Sequence, residues 1–202
     1  MDCRPFAAAA LLFGAACTQE AAPSPEYRPG DAGTVDHALC LLGYTAVPLR
    51  EVTTGHHLVD AEINGRSGSF VLDTGANVTV VQQGQAEQFG LSGQSGGRGA
   101  IGRAALPAGA GVATQAGVDS FTIGPVEIRQ SRVVMADMGQ LLGSLSQVAG
   151  EQVAGLIGQD VLTEHRAIVD VARPMLYLMA EDEDPAPVPA DRCSEAGEQA
   201  AS

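Results

Sequence analysis

One stretch constrains the fold more than any other: Phe70-Val71-Leu72-Asp73-Thr74-Gly75-Ala76-Asn77-Val78-Thr79-Val80-Val81. An apolar run delivers a single carboxylate, a glycine breaks the run, and small and β-branched residues resume it. Asp and Gly are both depleted inside strands, so an uninterrupted buried strand does not account for the pattern. A strand that ends by presenting an acid at a tight turn, and then re-enters the core, does. Asp73 is therefore the leading catalytic residue, read as half of a carboxylate pair, with the rest of the chain built to hold and cover it.

The flanking chain supports that reading. His57 to Ile63 alternates apolar and polar residues, Asn64-Gly65 is a hairpin turn signal, and Ser69 to Asp73 returns as the second strand. Ala46 to Arg50 reads as an edge strand, where Pro48 is tolerated. Beyond Val81, Gln82 to Phe89 predicts a helical turn closed by Gly90, and Leu91 to Gly111 is rich in Gly, Ser and Ala with no period. Val112 to Val118, Asp119 to Ile123 and Val126 to Val134 read as strands, with Gly124-Pro125 as a turn. Met138, Leu141, Leu142, Leu145 and Val148 have helical spacing, and Val153 to Gly158 is a second apolar run broken by Gly. Asp160 to His165 predicts a short helix, and Ala167–Val171 with Met175–Met179 predicts a closing hairpin. Short aliphatic runs and few aromatics favour an all-β core with one or two short helices.

Composition excludes several functions. The chain carries 11 Arg and no Lys for a formal charge of −13, which argues against nucleic acid as a partner. A Walker-type phosphate loop needs a Lys and is ruled out. Gly97-Arg98-Gly99-Ala100-Ile101-Gly102 matches a dinucleotide fingerprint and Gly93-Gln94-Ser95-Gly96-Gly97 a nucleophile elbow. Neither has the strand before and the helix after that those motifs require. His56-His57 is a poor metal pair, because successive strand residues face opposite sides, and His165 reads as a helix-end residue. No metal and no cofactor are expected.

The N-terminal residues 1–17 read as an export signal: Arg4 supplies positive charge, and Phe6 to Ala16 is apolar and ends in small residues. Gly14-Ala15-Ala16-Cys17 resembles a bacterial lipobox, which makes Cys17 the residue for lipid attachment and membrane association; Gly14, where Leu is usual, departs from it. An unprocessed Ala-rich leader is the alternative. Residues 18–45 read as a flexible linker, 46–180 as the folded domain, and 181–202 as an acidic, solvated tail. Cys40 and Cys193 flank the domain. An oxidising compartment permits a disulfide between them, within or between chains; two free thiols in flexible flanks fit equally well.

Asp73-Thr74-Gly75 in this context, with the later Leu156-Ile157-Gly158-Gln159-Asp160-Val161-Leu162 and its following hairpin, resembles the retropepsin-like aspartic proteases over roughly His57 to Leu178. Exported or membrane-tethered bacterial members are the most similar, which places the protein in the periplasm or cell envelope. The resemblance implies a closed β-barrel half-domain and a symmetric homodimer with Asp73 from each copy at the two-fold axis. It implies aspartic endopeptidase activity on protein or peptide substrates. It gives Thr74 a hydrogen bond across the axis, lets Gly75 bring backbone close to the pair, counts Ala76 as support for the site, and seats Leu156, Ile157 and Gly158 beneath the acids. A substrate flap should fall around Gly99 to Gln115. Viral members carry an Asp four residues after the catalytic one and an Arg after the later Gly; here Asn77 and Gln159 stand there, so a neutral pair is the expected substitute. Two other readings stay open: a non-catalytic peptide-binding module of the same fold, and an anchored envelope protein whose partner supplies the interaction surface.

Overall fold

The computed structural model describes residues 31, 33–92, 113–180 and 185–194. Cys17, the leader, most of the expected flap and both rejected glycine motifs lie outside them.

Among the described residues there are twelve strands, four α-helices and one 3-10 turn, and the strands fall into two sheets. The smaller sheet joins β1 (Tyr44–Pro48), β12 (Met175–Met179) and β11 (Ile168–Asp170) in that order, all antiparallel. The larger runs β6 (Thr114–Gly117), β9 (Arg132–Ala136), β5 (Val80–Gln82), β10 (Val153–Ile157), β4 (Arg66–Leu72), β3 (His57–Ile63), β7 (Phe121–Ile123) and β8 (Val126–Glu127), with β2 (Arg50–Glu51) pairing β3. The path is open, with β6 and β8 at its ends. The closed barrel that the resemblance implies is not formed by hydrogen bonds among the described residues: the two-residue β8 ends the path without pairing to β6.

The β3–β4 hairpin turns at Asn64 (φ 52°) and Gly65 (φ 73°), the left-handed pair that a two-residue hairpin loop demands. Asn64 also accepts from the Asp119 amide (2.7 Å) and donates to the Phe89 carbonyl (2.9 Å), so the hairpin tip anchors the loops beside it.

Strand parity sorts the larger sheet into two apolar faces. Val59, Ala61, Ile63, Phe70, Val81, Met135, Ala154 and Ile157 enter one cluster, closed by Phe89, Phe121, Leu176 and Leu178. Leu58, Val71, Val80, Val134 and Leu156 enter the other, which α2 (Gly139–Ala149) covers with Leu142 and Leu145. Aliphatic side chains do most of this filling.

Five further expectations need correcting. The linker 18–45 contains α1 (Val35–Leu41): Thr34 caps it by accepting from the His37 amide, and β1 already begins at Tyr44. The tail 181–202 contains a docked segment. The Val188 amide donates to the Leu41 carbonyl, and α4 (Asp191–Ser194) carries the buried Cys193. The strand expected over Val126–Val134 splits into β8 and β9, because residues between them make tertiary bonds instead of a ladder. Arg129 donates to the Glu164 and Ala180 carbonyls and Gln130 to the Asp160 carboxylate. In α2, Leu141 and Val148 share the helical spacing but stand 57% and 42% exposed, so only part of the apolar stripe faces the sheet. The turn expected at Gln82 to Phe89 is a 3-10 turn at Gln83–Gln85.

Cys40 and Cys193 form a disulfide with their Cα atoms 5.7 Å apart, joining α1 to α4. Beneath them Tyr44, Tyr177 and Met179 form a third small cluster with Leu39.

Candidate active site

Asp73 stands at the end of β4, in the middle of a three-strand arrangement. β4 pairs parallel with β10, β10 pairs antiparallel with β5, and the chain passes from β4 to β5 through the acid turn. The turn thus straddles the end of β10. The Asp73 amide donates to the Ile157 carbonyl (3.0 Å), continuing the ladder one residue past the strand. The Ala76 amide returns to the Asp73 carbonyl (3.2 Å), closing a tight turn.

Within the turn, the Gly75 amide donates to Asp73 Oδ1 at 2.9 Å. A Cβ at position 75 would lie 3.2 Å from that oxygen, so glycine keeps the carboxylate close to its own backbone donor. Asp73 is half-buried, Thr74 and Gly75 are exposed, and Ala76 is buried in the α2-side cluster. The acid is seated in the sheet but open at its tip.

Leu156, Ile157 and Gly158 lie against this turn. Leu156 pairs with Val71 on one side and Val80 on the other, and Ile157 pairs with Leu72. A Cβ at Gly158 would come within 2.5 Å of the Val78 carbonyl carbon and 3.0 Å of the Ala76 oxygen, so no side chain fits there.

α3 (Gln159–Glu164) begins at this contact and clasps the turn from both sides. The Gln159 amide donates to the Ala76 carbonyl (2.8 Å), and its side-chain Nε2 donates to the Thr74 carbonyl (2.7 Å). Gln159 therefore reaches the backbone of the turn, and the neutral pair expected with Asn77 is not formed. A planar amide can donate to a carbonyl without needing a charged partner.

Asp160 holds the exit of the turn. Its carboxylate accepts from the Thr79 amide and hydroxyl (2.7 Å each), the Val161 amide (2.8 Å) and Gln130 Nε2 (2.7 Å). The Thr79 hydroxyl in turn accepts from the Gly158 amide (3.0 Å) in a fully buried position. Charge-assisted bonds of this kind are the stronger ones in a protein interior. Sequence reasoning passed over Thr79 and Asp160, seeing one as a strand residue and the other as a helix start. Their separation of 81 residues leaves no local signal of the pairing.

His165 follows α3 and is fully buried, with Nδ1 2.7 Å from the Met179 carbonyl and Nε2 accepting from the Arg129 amide. It is a satisfied core histidine. His56 contacts Thr54 across 2.9 Å at the surface. Among the described residues no group of three or more His, Cys, Asp or Glu side chains is placed to hold a metal, and no helix is long and apolar enough to cross a membrane.

A strand presenting an Asp-Thr-Gly turn, braced by an apolar-apolar-Gly strand and the helix after it, is the candidate site of this chain. The Aspartyl protease family matches this chain over residues 59–161, more than half of its length, and the chain belongs to that family. Among solved structures it is similar to a retropepsin-like aspartic protease from Rickettsia conorii, at 18% identity over 67% of this chain and 88% of that one, with a TM-score of 0.42. It is similar also to the retroviral protease-like domain of Ddi1 from Leishmania major (15% identity, 66% and 94% covered, TM-score 0.40). A third is the EIAV protease complexed with the inhibitor HBY-793 (16%, 56% and 90%, 0.38). No curated protein matches the chain.

Proposed function

We infer that the protein is an aspartic endopeptidase whose catalytic pair is Asp73 from each of two copies of the chain. The observation that carries this reading is the seating of Asp73: backbone-anchored at a strand end, half-buried, with Thr74 and Gly75 exposed beside it. A lone carboxylate cannot both activate water and polarise a carbonyl. Two carboxylates about 3 Å apart share one proton and divide those tasks. The ionised member takes a proton from water as the water oxygen bonds to the scissile carbonyl carbon. The protonated member donates to the carbonyl oxygen, and a proton reaches the amide nitrogen as the C–N bond breaks.

The described residues hold one Asp-Thr-Gly, so the second acid is supplied by an isologous partner. A groove of about 390 Å³ opens beside Thr74, lined by Gln159, Leu162, Thr163, Arg166 and Val169, and gives such a partner a surface next to the acid. Protein or peptide chains are the substrate class, because the chemistry requires only an accessible amide bond. The Cys40–Cys193 disulfide and the leader with Cys17 support a place outside the cytoplasm, in the periplasm or cell envelope, anchored through an acylated Cys17. An acyl increment on the mature mass is the expected result there, and an unmodified Cys17 rejects the anchor.

The deciding experiment compares wild type with Asp73→Asn on an unfolded casein-type substrate at mildly acid pH. Cleavage should vanish in the variant while its thermal unfolding is unchanged. Cleavage that survives removes Asp73 from the mechanism. A folded protein that binds peptides without cutting them favours the binding-module reading.

A further inference from the structure

We propose that α2 is the specificity wall of the cleft: it fills the apolar hollow beside Asp73 with its own leucines and restricts the adjacent substrate position to small side chains. The inference rests on the protease reading and adds the class of residue that the site accepts.

Val71 and Asp73 are two residues apart along the line of β4, so they share a face of the sheet. That face is the one α2 covers, because Val71, Ala76 and Leu156 lie in a single buried cluster with Leu142 and Leu145. Ala76 closes the acid turn and belongs to the same cluster, so one apolar cluster joins the turn to the helix. Val71 and Leu156 are 7% and 2% exposed. Without α2 they would form an apolar hollow next to the carboxylate, of the kind that receives a large substrate side chain.

The helix is fixed in that hollow at both ends. At its start Gln82 of β5 accepts from the Met138 amide (2.6 Å) and donates to Asp137 Oδ1, which also accepts from the Gly139 amide (3.0 Å). Toward its end the Ser146 hydroxyl donates to the Leu142 carbonyl (2.6 Å) and accepts from the Val153 amide of β10 (2.9 Å). β5 and β10 are the strands that carry the chain beneath the acid turn, so the wall is registered to the active site itself. A substrate side chain directed at this face meets Leu142 and Leu145 already in place. Ala or Val fits against them, and Phe does not.

The test uses two peptides that differ only at the residue before the cleaved bond, Ala in one and Phe in the other, and reads the ratio of their kcat/KM values. Wild type should favour the Ala peptide. Leu142→Ala and Leu145→Ala, each removing three carbons, should move the ratio toward Phe by at least roughly tenfold, the low end of what one methylene is worth in an apolar pocket. The ratio comes from one preparation, so a smaller folded fraction does not alter it. Leu178→Ala, which truncates the other apolar cluster, should leave the ratio where it was. If both alanine variants are inactive, Leu142→Val and Leu145→Val carry the same measurement. A wild type that prefers the Phe peptide, or a ratio unmoved by the α2 variants that still cut, overturns the proposal and makes α2 a cover for the sheet only. Absence of any Asp73-dependent cleavage by wild type overturns the protease reading, and this inference with it.

Discussion

Thr79 shows how much of the site depends on side chains away from the acid. Its hydroxyl accepts from the Gly158 amide and donates to Asp160, all in a buried setting. Thr79→Val keeps the shape, strands the Gly158 amide and removes one of Asp160's donors. The expected loss is about 1–3 kcal/mol of folding stability, read by urea unfolding, because a buried donor left unsatisfied costs its full desolvation. Activity should fall beyond what the folded fraction explains, since Gly158 braces the turn. Gly158→Ala is a harsher change: its methyl would press on the Val78 carbonyl at 2.5 Å, so soluble protein from that variant should lack activity. The sequence marked Gly158 as part of an apolar-apolar-Gly element. Thr79 and Asp160 gave no such mark, because nothing in a β-branched residue or a helix-start acid announces a partner 81 positions away.

The hairpin β11–β12 and helix α1 meet through charged groups, and pH should act on that junction. Arg173 bonds Asp170 within the hairpin turn, and this contact holds the Asp170 carboxyl below the usual carboxylate range. A depressed folded pKa contributes stability that is present above the unfolded value of about 4 and is lost as pH falls through the folded one. Asp170→Asn should therefore flatten the fall in Tm below about pH 4, measured by calorimetry from neutral to strongly acid pH. On the alkaline side the sign reverses. Burial first, and then the 2.5 Å bond that its hydroxyl donates to Asp36, raise the Tyr177 phenol. Its contribution is present below about pH 10 and lost above it. Tyr177→Phe should lower Tm at neutral pH and reduce the alkaline slope. At this scale the sequence served well for the β3–β4 hairpin, the α2 segment and the closing hairpin, where period and turn residues agree. It missed α1, a short helix among Ala, Pro and Gly whose stability comes from packing on Tyr44 and Tyr177.

For the whole molecule, two features set behaviour. The Cys40–Cys193 disulfide closes a loop spanning 153 positions around the β-sheet domain. Cys40→Ser should cost about 2–5 kcal/mol by restoring freedom to the unfolded chain, with the denaturation midpoint as readout. The second is the proposed sharing of Asp73 between two copies of the chain. If each active site needs Asp73 from two chains, an excess of Asp73→Asn protein should poison wild type as subunits exchange, lowering cleavage per wild-type chain. Unchanged activity in the mixture would place the whole mechanism within one chain.

What the sequence determined by itself is local: the acid at a strand end, the glycine that permits its turn, the hairpin before it and the apolar strand that later braces it. These are written in residue type and in periods of two or 3.6, which neighbouring residues dictate. Tertiary structure alone decided that Gln159 reaches Thr74 and not Asn77, that Asp160 clasps Thr79, and that α2 packs on the same cluster as Val71 and Leu156. It decided too that α1 and α4 are joined through Cys40 and Cys193. Those outcomes depend on which distant surfaces meet when the sheet folds over its core, and no short stretch of chain carries that information.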